Sequence, residues 1–227
     1  MTGANVTSAL GGAAAQLAGV APLARRVAAL DPNSLLRIKV DTGMVAGYAR
    51  LPFGVLVGRT VRTMWAGSTI DCAVRVRELV GWLDGQVAEP PPQRDVEWRG
   101  ALPPTSGWRR VERVPEAVVR DVVGKGASTF RQAAEREGVR LDGPGRHGAQ
   151  PRAEVADALL DSVVLTATDG GIRAEVTLRT VSALTRMGFL PRGSHVVIDV
   201  CGRWSRVAAE YGSAYVERPV LALGTVS

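Results

Sequence analysis

Pro90, Pro91 and Pro92 stand in succession, followed by Gln93, Arg94 and Asp95. Three prolines in a row offer no backbone N–H and hold φ at about −65°, so neither a helix interior nor a central strand can pass through them. Regular structure built before this point must end there, and the chain beyond it must start anew. The reading is a helix and strand module over residues 1–88, a Pro-rich linker over 89–103 and an α+β module over 104–227. A chain of 227 residues suffices for one large domain or two small ones.

In the first module Val6, Leu10, Ala13, Leu17, Val20, Ala24 and Val27 recur at four and three spacing, which is the seam of a coiled coil. Gly11, Gly12 and Pro22 interrupt it, so the expectation is a short helix or arm, then a second helix from Pro22. Leu35, Leu36, Ile38 and Val40 read as a strand closed by Asp41, Thr42 and Gly43, with a return through Val45 to Leu51. Pro52 is placed at the first turn of a helix through Val55, Leu56 and Val61. Ser68 and Asp71 stand at capping-box spacing before an apolar stripe, Ile70, Ala73, Val74, Leu79, Val80 and Leu83, which predicts one helix ended by Gly85.

In the second module Val114 and Pro115 open a helix running to about Glu137, and Gly143, Pro144, Gly145 and Gly148 mark a loop. A helix over Glu154 to about Ser162 is expected next, then either a hairpin or two helices on the two sides of Asp169, Gly170 and Gly171. Leu178, Val181, Leu184 and Met187 share one helical face that stops at Gly188. Alternation at Val197, Asp199 and Cys201, then Trp204 to Ala208, predicts a hairpin turning near Gly202, with a further strand at Ala214 to Val216. The fold class expected is α+β: small antiparallel sheets packed with amphipathic helices. The order helix, Gly188, hairpin resembles a winged helix in its C-terminal part.

Aromatics make up only 5% of the chain, so its core falls to Val, Leu, Ile and Ala with anchors such as Trp65, Trp82 and Trp204. The net charge is +6, and Lys39 and Lys125 are the only lysines among 28 basic residues. A GC-rich genome makes Arg and Ala in this proportion, which weakens the inference from charge to nucleic acid. By segment the formal charge is +4 over residues 1–88, +3 over 89–152 and −1 over 153–227, a spread rather than a focused basic surplus.

Cys72, Cys201, His147 and His195 lie too far apart for a metal-ligand spacing, and no cofactor is expected. Both cysteines read as buried thiols. The chain shows neither a signal peptide pattern nor an apolar run of about 18 residues, so a cytoplasmic, membrane-free location is expected. Gly124, Lys125 and Gly126 do not make a phosphate loop: Val119 stands at its first Gly, and Gly126 replaces its Ser or Thr. Ser194 beside His195 is adjacency in sequence, and His147 beside Arg146 lies in a Gly-rich loop.

Three functional classes fit these residues. The first is a non-catalytic cytoplasmic binding or assembly protein, which self-associates or takes a protein partner through Trp98, Trp108, Arg109 and Arg110, the residue types that anchor interfaces. The second is a nucleic-acid-binding protein whose winged-helix-like part grips phosphates with Arg179, Arg186, Arg203 and Arg206. The third is an enzyme without a recognisable motif.

Overall fold

The computed structural model describes residues 10–136 and 157–217. Val6, His147, Arg146, the expected loop at 143–148 and the start of the helix expected from Glu154 lie outside the described residues. The chain divides into two compact units. The first comprises Met1–Leu102 with Arg186–Phe189 and Tyr211–Ala214; the second comprises Pro103–Thr185, Leu190–Glu210 and Tyr215–Ser227.

The first unit opens with a short helix α1 (Ala14–Leu17) and a second, α2 (Ala21–Leu30), with Pro22 in its first turn, as expected of a residue with no N–H to lose there. Strands β1 (Leu35–Asp41), β2 (Met44–Arg50), β3 (Leu56–Arg62) and β4 (Ile70–Arg75) come next, and α3 (Val76–Leu83) starts directly from β4. β1 pairs antiparallel with β2 on one side and β4 on the other, and β2 with β3. Leu36, Ile38 and Val40 on β1 and Leu23, Ala24 and Val27 on α2 are buried together with Val76 and Leu79 of α3. Burial of each such Val, Leu or Ile side chain contributes about 1.5–3 kcal/mol. Gly47 in β2 has Val20 within 3.4 Å of where a Cβ would stand, so the chain ahead of α2 meets bare backbone at that point.

The second unit contains β5 (Arg109–Pro115), α4 (Glu116–Arg136), β6 (Val163–Asp169), β7 (Ile172–Thr177), α5 (Leu178–Arg186, whose last residue belongs to the first unit), β8 (His195–Cys201) and β9 (Trp204–Ala209). β10 (Gly212–Glu217) gives Gly212–Ala214 to the first unit and the rest to the second. β5 and β9 flank β8 on its two sides, both antiparallel, and β6 and β7 form a separate two-stranded sheet. Residues 157–160 are helical.

The expected fold class is overturned. Hydrogen bonding orders the strands β4-β1-β2-β3-β10-β9-β8-β5, an eight-stranded antiparallel sheet beside the small β6-β7 sheet, rather than small sheets packed by helices. No winged helix forms from the C-terminal part. A wing is a hairpin free at its outer strand, whereas β8 carries a neighbour on each side and Val196, Ile198 and Val200 are buried along one face.

Two helices expected from sequence are strands in part or whole: β3 lies where a helix through Val55, Leu56 and Val61 was expected, and β4 takes the first half of the helix expected over Ile70 to Leu83. The alternative at residues 163–176 resolves as the hairpin β6-β7. The hairpins β1-β2 and β8-β9 form where alternation predicts them.

Candidate functional site

Side chains of β8 alternate between two environments. Val196, Ile198 and Val200 face the core, and His195, Val197 and Asp199 take the opposite face. β5 brings Arg110 opposite Asp199, Arg113 opposite Val197 and Pro115 opposite His195. Arg110 and Arg113 are three residues apart, which in a regular strand sets them on opposite faces. A bulge between Arg110 and Glu112 absorbs one residue, Val111, and returns both arginines to the His195 face.

The result is a cleft of about 490 Å³ lined by Arg110, Arg113, Ser194, His195, Val197 and Glu210. Arg113 Nη2 stands 3.4 Å from His195 Nδ1. Guanidinium has no acceptor, so Nδ1 must accept and Nε2 carries the ring proton.

A buried carboxylate fixes the turn that forms one wall. Glu116, at the first turn of α4, accepts from the Gly193 N–H at 3.0 Å through Oε2 and from Arg120 through Oε1, and its own N–H donates to Ser194 O at 3.0 Å. Arg120 donates in turn to Leu190 O.

Beside the cleft, Asp199 is buried and takes both Nε and Nη2 of Arg206 on Oδ2, at 2.9 and 2.6 Å. The Arg206 guanidinium lies 4.3 Å from the centroid of the Trp108 ring, which itself meets Tyr215 at 5.9 Å. Trp108, Arg206 and Asp199 are thus a stack over a buried ion pair.

The arginines expected to grip phosphates are not presented as a free basic face. Arg179 bonds Asp161 at 2.8 Å and Asp157 at 3.2 Å; Arg203 bonds Glu217 at 2.9 Å; Arg206 is held by Asp199. Arg186, in the first unit, lies over Phe53 at 5.8 Å, and its carbonyl accepts from Arg26. Of the residues expected at an interface, Trp98 and Trp108 are half-buried and donate their indole N–H to Gly100 O and Pro104 O, at 3.1 and 2.9 Å. Arg109 pairs with Asp169 at 3.3 Å, and Arg110 alone of that group faces the cleft. Arg113, His195 and Glu210 were not singled out together by sequence, because only the β5-β8 register and the β8-β9 hairpin bring them to one place.

In the first unit Arg37 and Lys39 converge on Asp71 at 2.7 and 3.4 Å. Burial opposes the Asp71 charge, but the Arg37 hydrogen bond and the charges of Arg37 and Lys39 win and hold its carboxyl below the usual range. The outer edge of β4 is closed locally. Asp95 accepts from the Ala73 N–H at 2.6 Å and the Arg94 N–H donates to Ala73 O at 2.7 Å, so this part of the edge offers no ladder to another strand.

Both cysteines are free; Cys72 is buried as expected and Cys201 is partly exposed. Burial first, then the nearby charges of Asp95 and Asp71, push the Cys72 thiol from 9.0 up to about 12. At pH 8 iodoacetamide is expected to label Cys201 and leave Cys72 untouched in the folded protein, read by peptide mass, because the thiolate is the reactive form. Labelling of Cys72 at the rate of a free thiol would refute this. Because the folded thiol holds its proton to higher pH than the unfolded one, stability is full below pH 9 and falls as pH rises from about 9 toward 12.

Among the described residues no three His, Cys, Asp or Glu side chains gather to hold a metal, and no helix is long and apolar enough to cross a membrane.

The fold resembles that of DNA polymerase sliding clamps. The chain is similar to the DNA polymerase III subunit beta from Pseudomonas aeruginosa, at 10% identity and a TM-score of 0.54, over 88% of this chain and 62% of that one. It is likewise similar to the beta subunit from DNA polymerase of Streptococcus pyogenes, at 9% identity and a TM-score of 0.53, over 87% of this chain and 61% of that one. A DNA polymerase sliding clamp from Pseudomonas aeruginosa with ligand gives 9% identity and a TM-score of 0.52, over 88% of this chain and 62% of that one. At such identities the likeness is one of fold, and the chain spans about 62% of the length of these clamps. By sequence, residues 103–221 match the family described as Domain of unknown function (DUF8185), just over half of the chain, and the protein belongs to that family. Residues 9–100 match a second model, Domain of unknown function (DUF8010). No curated protein matches the chain.

Proposed function

We propose that the protein is a non-catalytic assembly protein on a clamp-type scaffold, which associates with itself or with protein partners in company with DNA. The observation that carries this reading is the fold: 88% of the chain superposes on a protein named as a DNA polymerase subunit, at a TM-score of 0.54. A binding role also suits the side chains, since the charged groups around Trp108 and Asp199 are committed to one another rather than poised for proton transfer.

Contact with DNA would draw on cations that hold no carboxylate. Arg179, Arg203 and Arg206 would have to exchange Asp157, Asp161, Glu217 and Asp199 for phosphate, which costs what the new contact gains. Exposed Arg62, Arg77 and Arg99 of the first unit have no such partner among the described residues and are the readier contacts.

Mass photometry, with and without a duplex of arbitrary sequence, tests the proposal. Discrete oligomers are expected, with DNA binding that weakens steeply as salt rises from about 50 to 200 mM. Arg62→Gln/Arg77→Gln/Arg99→Gln is expected to flatten that salt slope. A strict monomer with no DNA affinity at the lower salt overturns the reading.

A further inference from the structure

The arginines and lysines of the second unit divide sharply. Every one whose side chain is described, apart from Arg110, Arg113 and Arg192, stands within 3.3 Å of a carboxylate oxygen. Two of the three exceptions line the cleft on the His195 face, and the third is the residue before Gly193 in the turn that forms its wall. Uncompensated cations are therefore gathered at one place in a unit that otherwise neutralises them. Two guanidinium groups and an imidazole line the cleft, and neither guanidinium has a carboxylate of the described residues within salt-bridge distance, Glu210 on the lining included.

The arrangement is also built rather than incidental. The bulge at Val111 places both guanidinium groups on one face. The buried Glu116 holds the Gly193–Ser194 turn through two hydrogen bonds of 3.0 Å, and the Arg113 contact fixes the imidazole with its Nε2 proton available. The cleft thus presents guanidinium and imidazole donors, the set that matches phosphate oxygens. Glu210 on the lining is an acceptor that repels a second phosphate and receives a hydroxyl or amine. One compact anion carrying a donor group fits this lining; a polyanionic strand does not.

We propose that this cleft binds a phosphate monoester, carried by a small molecule or by a peptide side chain. Arg110 and Arg113 hold the phosphate, His195 donates to it, and Glu210 receives a hydroxyl or amine of the attached group. The inference does not rest on the clamp-like function: DNA affinity is read through Arg62, Arg77 and Arg99 of the first unit, and the cleft through the second, so either can fail alone.

The test is calorimetric titration of the full chain with sodium phosphate, a nucleoside monophosphate and a phosphoserine tetrapeptide. Binding of phosphate is expected, tightened at least tenfold by one of the two esters, and the ester that gains identifies the source. Arg110→Gln/Arg113→Gln is expected to lose at least tenfold in affinity for that ester, while Arg203→Gln, an exposed arginine outside the cleft lining, leaves it unchanged. Glu210→Gln is expected to improve binding of pyrophosphate relative to phosphate. A thermal melt of each variant checks that it is folded. No binding at millimolar phosphate or ester, or equal affinity in a folded double variant, overturns the proposal.

Discussion

Arg206→Ala is expected to lower stability by about 3 kcal/mol, or roughly 6–12 °C in Tm. The substitution removes the partner of a carboxylate whose side chain is only 6% exposed, and strips the face of Trp108 of its stacked cation. Breaking a buried pair from one side costs about 3–5 kcal/mol because the remaining charge is stranded. The lower end applies here, since Arg206 is 24% exposed and water can enter in its place. Two comparisons separate this cause from simple loss of an arginine. Asp199→Asn/Arg206→Ala should recover part of the loss, because no unpaired charge remains. Arg173→Ala breaks a pair exposed on both sides and should change stability by less than about 1 kcal/mol. A loss below about 1 kcal/mol for Arg206→Ala in urea unfolding, the range of an exposed pair, would show that the ion pair and its stack are not what holds β8 and β9 at this point.

Glu116→Ala is the second large effect, about 2–3 kcal/mol, from the buried charged acceptor it removes. Its loss leaves the exposed Gly193 N–H to water and frees Arg120 from the start of α4. The signature is local as well as global: hydrogen exchange at Gly193 should accelerate more than exchange in β8. Glu116→Gln keeps an acceptor for Gly193 and should fall between the alanine variant and the parent protein. Unchanged exchange at Gly193 in the alanine variant would mean that the turn holds itself.

How far the fold was legible varied from strand to strand for identifiable reasons. Leu36, Ile38 and Val40 alternate with half-buried neighbours, so β1 showed period two in its residues. β3 did not, because Leu56, Val57 and Gly58 are all buried and the alternation appears only in its second half. At β4 the apolar positions Ile70, Ala73 and Val74 satisfy a helical stripe as well as a strand, and Ser68 at capping distance tipped the reading. β5 was hidden by its bulge, which spaces the buried Val111 and Val114 by three, a helical interval.

The repetition of architecture was also invisible. The first unit runs helix then three strands as α2-β1-β2-β3, and α5-β8-β9-β10 runs likewise, yet the two stretches share little beyond an alternating Ile and Val pattern before a Gly turn. The site fared as the long-range contacts did. Arg110 was singled out for its residue type, but its partnership with Arg113, His195 and Glu210 depends on a register between strands far apart in the chain.

The ladder between β5 and β8 does not count Val111: Arg110 faces Asp199 and Glu112 faces Ile198, adjacent residues of β8, whether or not Val111 intervenes. A relative that has lost this residue would forfeit one buried valine and keep every cross-strand partner, so the length of the strand is free to vary there. One residue gained between Glu112 and Pro115 has the opposite outcome, since it would turn an arginine toward the core. Insertions and deletions in this short stretch are therefore unequal by position: at Val111 the register survives at the cost of one buried valine, and two residues later the register itself is disrupted.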